Sequence, residues 1–161
     1  MRYGITPGPT RADADALVAL PKFIRRMPMV RERDGTRRIK SARIFDSSGR
    51  QIGLWIDAHV SEPPKPGDTI SVALVWRGKP IRRIDWKASE TFHDGLTVQG
   101  WHEHLWGDDE EDRVGRPFKP PLDGWSDLKT MFVTACQHWN ITILTRQDRP
   151  LRLVSDDDER D

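Results

Sequence analysis

Cysteine is all but missing from this 161-residue chain. A single Cys136 excludes an internal disulfide and any cysteine-rich zinc site, and a reducing, cytoplasmic setting is the simplest expectation. Long apolar runs are missing too. No stretch approaches the roughly 20 residues of a membrane-spanning helix and no charged-then-apolar leader opens the chain, so no membrane association is expected. Nor is there a glycine-rich phosphate loop or a serine nucleophile motif, which argues against the familiar cofactor enzymes. The acidic run Asp108 to Asp112 lacks the spaced ligands and turn glycine of a calcium loop. Net charge is nearly nil at +1.

That small net charge hides a polarised chain. Residues 1–50 hold 12 Lys/Arg against 5 Asp/Glu, residues 51–100 hold 6 of each, and residues 101–161 hold 8 against 14. Arg25, Arg26 and the stretch from Arg31 to Arg43 carry most of the basic excess, and they suit an RNA substrate, an acidic protein partner, or simple solvation. The length fits one domain, and seven tryptophans supply burial area to a chain that is only 36% hydrophobic.

Local pattern divides the chain into a loose arm (1–9), one α+β domain (10–147) and a disordered acidic tail (148–161). Thr10 followed by Asp13 reads as a capping box, with Ala14, Leu17, Val18, Leu20 and Ile24 at helical spacing and a break at Pro21. From Ile39 the period becomes two. Ala42 and Ile44 face Ile52, Leu54 and Ile56 across the polar turn 46–50. Glu62 to Asp68 is a proline-rich loop, Ile70–Trp76 a central strand, and Ile81–Trp86 the next. Lys87–Gly95 reads as a loop and Leu96–Trp106 as a fifth strand. The segments 107–116 and 117–121 read as irregular. Ser126 caps a second helix whose stripe is Leu128, Met131, Phe132, Ala135, Cys136 and Trp139, ending at Asn140. Cys136 on that stripe is core filler, while His59 and His138 are surface or capping residues. The expected fold is an antiparallel meander of about five strands with the N- and C-terminal helices packed on one face.

Three of the five histidines, His93, His102 and His104, fall within twelve positions. On a strand, Val98, Gly100, His102, His104 and Trp106 share one face, and Gln99, Trp101, Glu103 and Leu105 the other. On the preceding strand Arg83 and Asp85 alternate with Arg82, Ile84 and Trp86, and register decides which set lies beside the histidines. Arg83 and Asp85 are the chemically useful pair, Asp85 to hold an imidazole tautomer and Arg83 to hold a phosphate.

Several of these segments together resemble a bacterial family catalogued only as a domain of unknown function. The segments are Ala14 to Lys22, Arg83-Ile84-Asp85-Trp86, His93-Asp94-Gly95, His102-Glu103-His104-Leu105 and the closing Asn140-Ile141, over residues 10–143. Trp101, where the family has proline, and the acidic run 108–112, where it has a more aromatic, lysine-containing stretch, depart from the pattern. The resemblance implies an accessory gene of mobile elements, loosely similar to toxins of toxin–antitoxin pairs, with an antitoxin as protein partner. It implies no established activity.

Three chemistries fit the histidine strand. His102 and His104 can bind zinc or another divalent ion, with His93 or Asp85 as third ligand. They can act as general acid and base in metal-independent RNA cleavage, helped by His93, with Arg83 or Arg113 on the developing phosphorane charge. Or they form a structural or partner-binding surface packed by Trp101 and Trp106. The sequence leaves all three open and leaves oligomeric state undefined.

Overall fold

The computed structural model describes residues 9–61, 70–92, 94–106, 114–119 and 127–147. His93, Arg113, Ser126, the loop 62–68, the acidic run 108–112, residues 1–8 of the arm and the tail 148–161 lie outside the described residues.

The elements run α1 (Arg11–Ala19), β1 (Lys22–Ile24), β2 (Arg31–Arg33), β3 (Thr36–Asp46), β4 (Gln51–Ser61), β5 (Ile70–Trp76), β6 (Lys79–Thr91), β7 (Thr97–Leu105), β8 (Val114–Pro117), α2 (Leu128–His138) and β9 (Ile141–Ile143). The capping box forms as expected. Thr10 Oγ1 accepts from the Asp13 amide at 3.1 Å and Asp13 Oδ2 accepts from the Thr10 amide at 3.0 Å. The helix stops at Ala19, before Pro21, so Ile24 belongs to β1 rather than to the helical stripe.

All nine strands join one sheet in the order β8-β7-β6-β5-β4-β3-β1-β9, with β2 paired to β3 beside β1. Every pairing is antiparallel except β1 with β9. The expected meander is β3 to β7, and the count of five is corrected to nine among the described residues. The four missed strands hold three or four residues each, too few for a period of two to register. β2 is Arg-Glu-Arg with no apolar residue, and β8 sits within a stretch read as irregular. β6 also outruns its expected end at Trp86 and continues to Thr91, so most of the expected loop 87–95 is strand.

The helices differ in how they meet the sheet: α2 lies against β4, β5 and β9, whereas α1 reaches the same core through Ala14, with Leu17 and Val18 packed against it. Ala14 enters the core, and Asp15 pairs with the buried Arg82. The apolar stripe of α2 is buried throughout, Leu128 to Trp139. Its N-cap is Asp127, not Ser126, accepting from the Thr130 amide at 3.0 Å. Asn140 takes the expected left-handed conformation, φ 56°, and its side-chain amide donates to Ala19 O at 2.7 Å. Beside it Lys22 is buried to 3% exposure and donates to the carbonyls of Val18, Leu20 and Trp139 at 2.8, 2.9 and 2.6 Å. One ammonium thereby ties together the C-terminal ends of both helices, where the backbone dipoles favour a cation. Burial nevertheless pulls its pKa down to about 8.

Directly paired residues share a face, so register sorts the sheet into two sides. One side carries Ile39, Ala58, Val72, Ile84 and Glu103, and Ala42, Ile56, Leu74 and Arg82 lie on it too. This side meets α2. The other carries the row Arg38, His59, Ser71, Asp85, His102 and the row Asp57, Ala73, Arg83, His104. Among the described residues, no helix is long and apolar enough to cross a membrane.

Candidate metal centre

Register settles which residues lie beside the histidines. Asp85 pairs with His102 and Arg83 with His104, so the useful set faces the imidazoles. His102, His104 and Asp85 are each 0% exposed. His93 cannot be placed, since it lies outside the described residues.

Three ligand atoms, from Asp85, His102 and His104, lie within 4.8 Å of one another, and Glu90 approaches the two imidazoles. The two Nε2 atoms lie 3.1 Å apart, His104 Nε2 is 3.1 Å from Asp85 Oδ2, and His102 Nε2 is 2.9 Å from Glu90 Oε2. Glu90 Oε2 is also 3.4 Å from His104 Nε2. Tetrahedral zinc with 2.0–2.1 Å bonds sets its ligand atoms about 3.3–3.4 Å apart, and octahedral angles at the same bond length bring them to about 2.9 Å. The observed spacings span that interval.

Hydrogen-bond accounting points the same way. His102 Nδ1 donates to the carbonyl of Gly100 at 2.8 Å, so in the neutral ring Nε2 presents a lone pair. That lone pair faces a carboxylate oxygen and the Nε2 of His104, and the one proton a neutral His104 ring can carry there is all that these facing atoms have to share. A ring nitrogen donating to a backbone carbonyl while the other points at a cation is the usual outer arrangement of a metal-bound histidine. Asp85 Oδ1 and His104 Nδ1 are buried with no hydrogen-bond partner among the described residues.

The carboxylates are held from behind. Arg83 Nε donates to Asp85 Oδ2 at 2.6 Å and Lys87 Nζ lies 3.2 Å from Glu90 Oε2. Burial pushes the Glu90 pKa up, but Lys87 and the two histidines outweigh it and hold the group below its ordinary value. Burial lowers the His104 pKa, against the opposing pull of Asp85, which keeps the ring in its metal-binding form. Trp106 stacks on His104 (centroids 5.2 Å, interplanar 14°), and the Arg83 guanidinium lies over the far part of the stack, 5.1 Å from the Trp106 centroid. Phe92 meets His104 edge-on at 5.1 Å and His102 at 5.9 Å. On β8, Gly115 pairs with His104, and a Cβ there would stand only 2.1 Å from two ring carbons of Phe92.

Sequence reasoning missed Glu90 because simple alternation from Asp85 would put Ser89, not Glu90, on the histidine face. A β-bulge between Lys87 and Glu90 shifts the register by one and brings Glu90 round. The available signal was the lack of Gly, Pro or Asn between Trp86 and Phe92, which lets the strand continue.

The other singled-out residues sort differently. Glu103 lies on the opposite face, accepting from Trp139 Nε1 at 2.8 Å and from Arg116 Nε at 2.8 Å, with His138 Nε2 at 2.9 Å. His138 is therefore a carboxylate partner rather than only a surface group. Burial of Glu103 would raise its pKa, yet those partners hold it at about 2. Burial pushes the Cys136 thiol up to about 12, as suits core filler. His59 Nδ1 lies 3.4 Å from Ser71 Oγ. Comparison with family models, curated proteins and solved structures finds no match.

Proposed function

We propose that this protein binds a divalent metal ion, zinc or a cation of similar size, through His102, His104 and Asp85, with Glu90 closing the site. The observation that carries the reading is the convergence of two Nε2 atoms and two carboxylate oxygens that supply each other too few protons. A proton satisfies one pair of these atoms, whereas one cation can meet both imidazole nitrogens and the Asp85 carboxylate together. Four protein donors around a buried ion describe a closed, structural-type centre. Glu90, its side chain 11% exposed, is the ligand nearest solvent and the one an incoming group would displace.

This reading ranks above metal-free, toxin-like RNA cleavage by the same histidines. General acid–base work needs a ring nitrogen within reach of the scissile phosphate, and both rings are fully buried. It also ranks above a plain interaction surface, which gives no reason for the nitrogens to face carboxylates in the dark of the sheet.

Thermal melting tests it. Zinc at about 100 times its Kd should stabilise the protein by about 2.7 kcal/mol, a rise of roughly 5–10 °C for a chain of this size. His102→Ala and Asp85→Asn should each abolish the rise while remaining folded by circular dichroism. A zinc-independent melting temperature in the chelator-stripped wild type would refute the reading.

A further inference from the structure

The side of the sheet that bears the metal centre continues into an unusual basic surface. Arg31 of β2 pairs directly with Arg38 of β3, and Arg38 pairs with His59 of β4. Two steps along the same side Arg43 pairs with Trp55. Arg31, Arg38 and Arg43 are exposed, and Trp55 and His59 are half-buried. Among the described residues no carboxylate forms an ion pair with Arg31, Arg38 or Arg43, and the one acid between them on β4, Asp57, is engaged by the Ser41 amide at 2.6 Å.

Like charges directly opposite on a ladder destabilise it, typically by a few tenths of a kcal/mol up to about 1. An anion lying across Arg31 and Arg38 reverses that sign. The surface also has what a single nucleic-acid strand uses: guanidiniums spaced across neighbouring strands for phosphates, and an indole and an imidazole beside them for base stacking. An acidic peptide supplies the charge but leaves Trp55 without a planar partner.

We propose that this face, Arg31, Arg38 and Arg43 with Trp55 and His59, binds a single-stranded polynucleotide, its phosphates on the arginines and a base on Trp55. The proposal is independent of the metal reading. The row Arg38–His59–Ser71–Asp85 does place the surface three strand spacings, about 14 Å, from the metal centre along the same side.

Fluorescence anisotropy with labelled oligouridylate, oligothymidylate and polyglutamate tests it on the full chain. Three phosphate contacts give a salt slope near −2, so affinity for either oligonucleotide should fall about 20-fold from about 50 to 200 mM salt. Arg38→Ala and Arg43→Ala should each reduce that slope by about 0.7. Trp55→Ala should weaken binding about ten-fold without changing the slope, and Trp55→Phe should keep most of the affinity. Oligouridylate binding in excess of oligothymidylate assigns the site to RNA, and equal binding to single strands of either kind; both support the proposal. No binding at low salt, polyglutamate binding as tight as the oligonucleotides, or folded arginine variants that bind like wild type would each overturn it.

Discussion

Glu103 and its two histidine neighbours show how one residue step changes a side chain's work. The histidines point into the candidate metal centre, while Glu103 points to the helical side and collects Trp139, Arg116 and His138. Because its folded pKa of about 2 lies below the ordinary 4.5, its contribution to stability is full above about pH 4.5. That contribution is lost as pH falls towards 2. Glu103→Gln should cost about 3 kcal/mol at neutral pH. Urea denaturation from pH 7 to 2 should show wild type and variant converging below pH 4.5; a gap that stays constant would contradict the assignment. At this scale the sequence was informative about faces. His102, His104, Arg83 and Asp85 were all identifiable from alternation, because a period of two needs only a correct strand. Glu90 was not, because a bulge is a local change of register that composition does not announce.

Among the elements, the long hairpin strands were legible and the short edge pieces were not. β3 to β7 carry enough alternating residues to betray themselves, and α2 carries a full apolar stripe. β1, β2 and β8 exist because longer neighbours offer them an unpaired edge, and β9 because β1 does so in turn, a tertiary cause invisible in three or four residues. β8 matters most for the centre. It brings Gly115 beside His104 and leaves room for Phe92 over both rings. Gly115→Ala should therefore destabilise the protein by about 1–3 kcal/mol and, by tilting Phe92 against the histidines, weaken metal binding. Denaturation curves and a zinc titration of the variant check both effects; unchanged stability would mean that Phe92 yields freely and does not hold the rings.

At the level of the whole molecule, one twisted sheet separates two environments. α2 and the apolar core take one side, and the other runs from an exposed basic hairpin to a buried cluster of imidazoles and carboxylates. Six of the twelve basic residues among the first fifty lie on β2 and β3, a placement that charge counting along the chain could suggest but not locate. The central claim is the metal centre, and cobalt(II) titration tests it most directly, because visible ligand-field absorption reports both stoichiometry and coordination geometry. The account predicts saturation at one equivalent, absorption of the intensity expected for four- or five-coordinate nitrogen and oxygen ligands, and its loss in His102→Ala and in His104→Ala. A folded wild-type protein that leaves cobalt in its weakly absorbing aqueous form would contradict it.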